Sequence, residues 1–327
     1  MPSAPRIAII GAGLTGLHLS RRLSATAHVK VFEKSRGFGG RMSTRRAEAF
    51  QFDHGAQYFT ARGQVFQTFL KPFQDAGTVA RWQPRLALLG AEDGPTPVWT
   101  APRYVAQPGM NALAKEMANG QDVHRATRIA SVQKVGTSWR LVSETRADCG
   151  LFDWVLFTAP AEQSALFMPE SFQHAETLCT AQMLGCYSLM IGLDRAVDVG
   201  WDAAVVKGGA VAWMAMNHSK PGRSAAPSLL VQSSNTWANA HLEDPQQDVE
   251  ALLCQEASVH MGLDVQTMPY RSLHRWRFAS VAVPAHAPYL LDQDNGLAAA
   301  GDWCGAGKVE AAFDSAEALA HALLETL

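Results

Sequence analysis

Ile7-Ala8-Ile9-Ile10-Gly11-Ala12-Gly13-Leu14-Thr15-Gly16-Leu17-His18 is the stretch on which the fold turns. Four apolar residues make a short strand, and Gly11 to Gly16 fit the pattern G-x-G-x-x-G. Gly11 permits a tight turn, Gly13 carries no Cβ to hold a diphosphate away, and Gly16 lets a helix pack closely on the strand. Leu14, Leu17, His18 and Leu23 then lie near helical spacing, and His28 to Glu33 is β-branched and apolar again. Strand, turn, helix and strand in this order bring phosphates to a helix N-terminus, where free N–H groups and the positive dipole end favour anions. A glycine turn alone is a weak signal. Glu33 strengthens it, because it closes the second strand where a carboxylate accepts hydrogen bonds from ribose hydroxyls. FAD and NAD share this fingerprint, so other segments decide between them.

Further along, Trp154 to Thr158 and Leu297 to Gly301 read as two more apolar strands, the second feeding a helical pattern from Val309 to Leu324. These pieces predict a doubly wound parallel sheet of Rossmann type assembled from distant stretches. Thr127 to Ser143 reads as a hairpin turning near Gly136, and Gln182 to Leu193, Ala210 to Met216 and Ser228 to Ser233 read as strands of a second, mixed sheet. Asp244-Pro245-Gln246-Gln247 predicts a helix start, with Asp244 as N-cap and Pro245 in the first turn, and Gly262 as the stop after Met261. The expected α/β architecture has two interleaved lobes. One is a nucleotide-binding domain made of 1-60, 105-162 and 293-327; the other is a substrate domain made of 61-104 and 163-292.

The bulk properties narrow the function. Across 327 residues, 28 basic and 30 acidic side chains leave a net charge of -2, which gives no pull toward nucleic acid or an anionic membrane. No stretch approaches the roughly 18 apolar residues of a membrane span. Five cysteines at irregular spacing, without a C-x-x-C pair, argue against a disulfide framework or a zinc site and for reduced thiols in a cytoplasmic protein. The histidines are scattered and no H-E-x-x-H motif occurs, so no metal is expected.

Three segments point to a flavin. Glu33-Lys34-Ser35-Arg36-Gly37-Phe38-Gly39-Gly40-Arg41-Met42 offers backbone and guanidinium groups to a second stretch of diphosphate. Asp53-His54-Gly55-Ala56-Gln57-Tyr58-Phe59 brings backbone and an amide beside an aromatic ring. Gly301-Asp302-Trp303 ends a strand just before the helix start at Val309-Glu310-Ala311-Ala312; an acid there binds a ribityl hydroxyl, and the helix start offers N–H groups to a ring carbonyl. Together with Pro108-Gly109-Met110, Ser219-Lys220-Pro221-Gly222-Arg223 and His274-Arg275-Trp276-Arg277, these segments resemble the flavin-containing amine oxidase superfamily, and within it the bacterial renalase-like enzymes. The resemblance covers nearly the whole chain. It implies FAD contacts at Gly11, Gly13, Leu14, Gly16, Glu33, Arg41, Gln57, Tyr58, Ile129, Asp302 and Val309, with Ile129 acting through its backbone near the adenine. Ala311 and Ser315-Ala316 stand where such helices often carry Gly and Ser-Gly.

The substrate residues are expected in the second lobe and beside the flavin. Tyr187 and Trp303 are candidates to line a pocket for a planar substrate. Phe66 to Leu70 offers a second wall, although the spacing of Phe66, Phe69 and Phe73 reads better as the packed face of a helix. Strand alternation puts His274 and Trp276 on one face; they either shape the site or belong to a buried strand with a satisfied histidine. Ser219 to Arg223 reads most economically as a tight turn with solvated charges, and less so as a binder of substrate phosphate through Lys220 or Arg223.

No catalytic residue is singled out: hydride transfer to flavin N5 needs placement and dryness and does not require an acid or base. The resemblance implies an FAD-dependent oxidase acting on the 2- and 6-dihydronicotinamide isomers of NAD(P)H, with dioxygen as oxidant, in a monomer or weak homodimer. Two alternatives stand beside it: a flavin amine oxidase or desaturase acting on another small molecule, and a non-catalytic dinucleotide-binding sensor.

Overall fold

The strand Arg6–Ile10 lies inside a six-stranded sheet, paired in parallel with His28–Phe32 on one side and Trp154–Phe157 on the other. A computed structural model of the chain describes residues 4–90 and 100–327. The sheet order is Leu290–Asp292, Leu297–Ala299, Trp154–Phe157, Arg6–Ile10, His28–Phe32 and Val123–His124. Only Leu290–Asp292 runs antiparallel to its neighbour. The helix Leu14–Leu23 packs against the last helix, Lys308–Thr326, and both Leu17 and Leu319 are fully buried. The predicted hairpin is present as Ile129–Val135 and Ser138–Ser143 about Gly136, and Asp148–Phe152 extends it to three antiparallel strands.

The second sheet is mixed, as its patterning predicts. Its order is Tyr270–Val283, Gln182–Gly192, Ser228–Ser233, Val211–Met216, Ala203–Val206 and Leu86–Leu89, the last pair parallel. The helix Gln246–Met261 lays Val249, Leu253, Cys254, Ala257 and Met261 against Leu189, Ile191, Met214 and Val231 in one hydrophobic cluster. Its stop is Gly262, left-handed at φ 64°. Its start differs from expectation: Pro245, not Asp244, is the N-cap, and the Pro245 carbonyl accepts the N–H groups of Asp248 and Val249 at 3.0 and 3.2 Å.

The chain divides into two units, residues 1–40, 113–183 and 281–327 in the first and 41–112 and 184–280 in the second. The boundaries therefore differ from the expected ones. Residues 41–60 lie in the second unit because their polar partners are there: Arg45 donates to Ser272 Oγ, Asn217 to the Gln51 carbonyl, and Trp276 to the His54 carbonyl. Among the described residues, no helix is long and apolar enough to cross a membrane.

Candidate active site

The glycine turn of the first unit has the geometry its pattern demands. Gly11 sits at φ 120°, a conformation L side chains rarely adopt, and donates to the Phe32 carbonyl at 2.8 Å. A Cβ on Gly16 would lie 2.0 Å from the Gly11 carbonyl oxygen and 2.8 Å from Thr158 Oγ1. Gly13 is different: a Cβ there would meet no atom within 4 Å. The space in front of Gly13 is thus open, and the helix behind it has no side-chain cap and no acidic residue in its first turn. An uncapped N-terminus facing open space fits a diphosphate. The loop after Glu33 returns to this place, with Gly39 donating to the Ala12 carbonyl at 3.0 Å.

Glu33 is buried directly after the second strand. Its Oε2 accepts the Ala12 N–H at 2.9 Å and its Oε1 accepts the Ser35 N–H at 2.7 Å. The carboxylate therefore braces the glycine turn, and each oxygen keeps a lone pair for a ribose hydroxyl. Ile129 is buried nearby in sequence register, the Glu33 carbonyl accepting the Thr127 N–H at 2.9 Å. At the far end of the same sheet, Asp302 is buried and its carbonyl accepts from Gly305 and Gly307. The last helix begins behind Gly307 without a side-chain cap, with Val309 half-buried. Ser315 has a specific task, because its Oγ accepts the Gly301 N–H at 3.1 Å. Trp303 departs from expectation. It is 0% exposed and its indole N–H donates to the Ala159 carbonyl at 3.0 Å, so it packs the interior of this unit rather than lining an opening.

In the second unit, Arg41 is half-buried and its guanidinium reaches the Ala279 carbonyl at 3.4 Å. Its own carbonyl explains Gly55: a Cβ there would lie 2.0 Å from the Arg41 oxygen, while the Ala56 N–H donates to that oxygen at 2.8 Å. The Gln57 amide is turned inward. Its Nε2 donates to the Asp53 and Gly55 carbonyls and its Oε1 accepts from Lys220 at 3.1 Å, so the turn presents backbone where an amide was expected. Tyr58 is half-buried among rings: Trp213 at 5.8 Å, Trp82 at 6.3 Å, and the Arg103 guanidinium over its face at 5.0 Å.

Below this turn, Asp53 is fully buried. It accepts Thr44 Oγ1 at 2.7 Å, the Met110 N–H at 3.0 Å, and Arg223 through Nη2 at 2.6 Å and Nε at 3.0 Å, with Lys220 Nζ at 3.4 Å. Burial pushes its carboxyl up, but the charges of Lys220 and Arg223 outweigh burial and hold it below the usual value. This corrects the reading of Ser219 to Arg223 as a solvated turn, because both cationic side chains are 0% exposed. A buried carboxylate 170 residues away in sequence draws Arg223 inward, and Arg223 is thereby committed to Asp53.

Three rings form a second cluster. His54 stacks on Trp276 at 5.3 Å and meets His274 edge-on at 5.0 Å, and His274 lies 4.3 Å from Trp276. Strand alternation thus pairs His274 with Trp276 as expected, while Arg277 turns away to Glu243. Burial, then His274 and Arg45, pull the His54 imidazole down to about 3; burial and Arg45 pull His274 to about 4. Both imidazoles are neutral at physiological pH. Tyr187, expected at a pocket, is instead 0% exposed in the second unit's core, with its hydroxyl donating to the His241 carbonyl at 2.9 Å. Phe66 and Leu70 are fully buried on the helix Gln64–Asp75, where Phe66 stacks with Phe69 and Phe69 meets Phe73 at a tilt. The spacing of these phenylalanines is that of a packed face. Sequence reasoning did not single out Trp82, Trp213, Arg103 or the Asp53 to Lys220 pairing, since no local pattern links residues so far apart.

Comparison with known proteins gives two matching family models: an NAD(P)-binding Rossmann-like domain over residues 9–73, and a flavin containing amine oxidoreductase over residues 87–324. The chain is similar to renalase of Mus musculus, at 21% identity over 301 residues, covering 84% of this chain and 85% of that protein. It is also similar to a 4,4'-diapophytoene desaturase (4,4'-diaponeurosporene-forming) of Staphylococcus aureus, at 35% identity but over only 77 residues, 20% of this chain and 15% of that one. A solved putrescine oxidase variant, A394C, shares the fold with a TM-score of 0.72 at 9% identity, covering 99% of both chains.

Proposed function

Since the chain belongs to the flavin containing amine oxidoreductase family, we propose that this FAD-dependent oxidoreductase is an oxidase of 2- and 6-dihydronicotinamide isomers of NAD(P)H. The observation that carries this reading is the reach of the likeness to renalase, which runs through both units, whereas the likeness to the desaturase covers only 20% of the chain.

The first unit holds the nucleotide. Gly11, Gly13, Leu14 and Gly16 leave room for the diphosphate, Glu33 takes the ribose hydroxyls, Ile129 meets the adenine, and Asp302 and Val309 serve the ribityl chain and ring. The resemblance adds Arg41, Gln57 and Tyr58 as further FAD contacts. Held by these residues, FAD would supply a hydride acceptor at N5, and with dioxygen as the final oxidant and one proton from solvent the net reaction would turn a dihydronicotinamide into NAD(P)+ and dioxygen into hydrogen peroxide.

The remaining work of the chain is to place a flat, uncharged ring and keep it dry. Neutral His54 and His274 with Trp276, and Tyr58 with Trp82 and Trp213, are suited to that. No general base is needed, because loss of the hydride makes the substrate ring aromatic. Amine oxidation is the less favoured reading on a specific ground: amines are cations in water, and the turn at Asp53 to Tyr58 is backed by two buried cations against one carboxylate.

Anaerobic mixing tests the proposal. The flavin's visible absorbance is expected to disappear on addition of either dihydronicotinamide isomer and to return with air. Bleaching by amines alone, or by neither isomer, refutes it.

A further inference from the structure

Two helices of the first unit begin at residues read above as FAD contacts, and they are tied to each other. Thr15, in the first turn of Leu14–Leu23, is buried, and its hydroxyl donates to the Ala312 carbonyl of the last helix at 3.0 Å. One turn further, His18 Nε2 meets Glu317 Oε2 at 2.6 Å, and Arg22 Nε reaches the same oxygen at 3.3 Å. The paired residues advance together, from 15 to 18 on one helix and from 312 to 317 on the other, so the helices run in the same direction. Each follows a strand of one parallel run, Arg6–Ile10 and Leu297–Ala299, and both therefore start at the carboxyl end of the sheet. A threonine in a helix commonly turns its hydroxyl to a carbonyl of its own preceding turn. That of Thr15 is spent instead on a helix 297 residues away. A buried hydroxyl carries a desolvation cost, and valine has the same shape without it. Packing alone therefore does not account for a threonine at this position.

We propose that Thr15 is a positioning residue which, with the His18–Glu317 pair, holds the two helix starts as one two-point receptor for FAD. The diphosphate takes the start at Gly13 to Gly16, and the ribityl chain and ring take the start at Asp302 and Val309. The inference rests on the reading above that these residues contact FAD. The last helix also carries the Asp302 turn with it, since Ser315 Oγ accepts the Gly301 N–H at 3.1 Å and the Asp302 carbonyl accepts the Gly307 N–H at 3.1 Å. A ligand held at two points gains from both only if their spacing is already set, because any movement needed to reach the second point is subtracted from the affinity. Thr15 thus differs from Gly13 and Glu33, whose parts lie at the nucleotide end alone.

The test compares a whole ligand with half of one on the flavin-free protein. FAD is titrated by flavin fluorescence, and ADP, which carries the nucleotide end only, is read by the inhibition constant with which it displaces FAD. Thr15→Val is expected to weaken FAD at least about tenfold and ADP less than about threefold. Thr15→Ser, which keeps the hydroxyl, is expected to return FAD to within about threefold of the parent. Glu317→Ala supplies an independent arm, since it removes the second tie without touching the glycine turn; it is expected to weaken FAD at least about threefold and to leave ADP unchanged. Equal losses of FAD and ADP overturn the proposal, because the hydroxyl would then serve the diphosphate or the turn itself. So does an unchanged FAD affinity in Thr15→Val or Glu317→Ala, and so does a failure of ADP to displace FAD from the parent. Should Thr15→Val not fold, Glu317→Ala decides by the same criteria. Because no substrate enters the measurement, a protein that fails to oxidise dihydronicotinamides can still pass this test, and the two failures are distinguishable.

Discussion

Replacing Gly13 by Ala separates what the glycine turn does for the fold from what it does for the cofactor. Gly13 is extended, at φ -76° and ψ -175°, where any L residue is comfortable, and a Cβ there would touch nothing within 4 Å. The flavin-free variant is therefore expected to be as stable as the parent or slightly more so, by about 0.4–1 kcal/mol, since alanine has less freedom to lose on folding. FAD is expected to bind at least tenfold more weakly, about 1.4 kcal/mol, because the methyl occupies the space in which a phosphate approaches the helix N–H groups. Gly16→Ala is the contrast. Its methyl would lie 2.0 Å from the Gly11 carbonyl oxygen and 2.8 Å from Thr158 Oγ1, so the Gly11 backbone must move. Overpacking of this kind costs about 1–3 kcal/mol, and it is expected with or without FAD. Thermal denaturation of the flavin-free proteins reads the first quantity, and titration of FAD into them, followed by flavin fluorescence, reads the second. Flavin-free material is essential, as bound FAD would itself raise the midpoint. Gly13→Ala binding FAD within threefold of the parent would show that the diphosphate does not lie at this helix start.

Glu33→Ala removes the acceptor of both the Ala12 and Ser35 N–H groups, so it is expected to lower the thermal midpoint of the flavin-free protein and also to weaken FAD retention, whereas Glu33→Gln, which keeps one acceptor oxygen, should fall between; equal occupancy in all three proteins would remove the ribose role. Acid should destabilise the second unit through its buried imidazoles. The folded chain holds His54 at about 3 and His274 at about 4 against an ordinary 6.5, so the unfolded chain takes up protons that the folded chain refuses. That stability is present above pH 6.5 and is lost as the pH falls toward 4 and then 3, on the order of 3–5 kcal/mol for His54 at about 1.4 kcal/mol per pH unit. Urea midpoints measured from pH 7 to 4 should fall steeply in the parent and less so in His54→Phe; parallel curves for the two would dismiss His54 as the cause.

Local chemistry made much of this protein readable before any coordinates. The turn at Gly11 to Gly16, the carboxylate at Glu33 and the strands and helices around them follow from short-range rules: where a Cβ fits, how many residues make a helical turn, which faces alternate. The mixed second sheet and the stop at Gly262 were accessible for the same reason. Tertiary structure decided everything that depends on what lies across from a residue. Alternation says that Tyr187 shares a face with its neighbours but not whether that face meets a core, and the ring proved to be sealed there. Trp303 follows Asp302 directly and still points its indole into protein. The charges of Lys220 and Arg223 look solvated until the carboxylate of Asp53 is brought beside them, because an ion's burial depends on a partner and a partner at that separation leaves no trace in spacing. Sequence therefore marked where a dinucleotide could be held, while only folding showed which cations stand buried behind the turn from Asp53 to Tyr58.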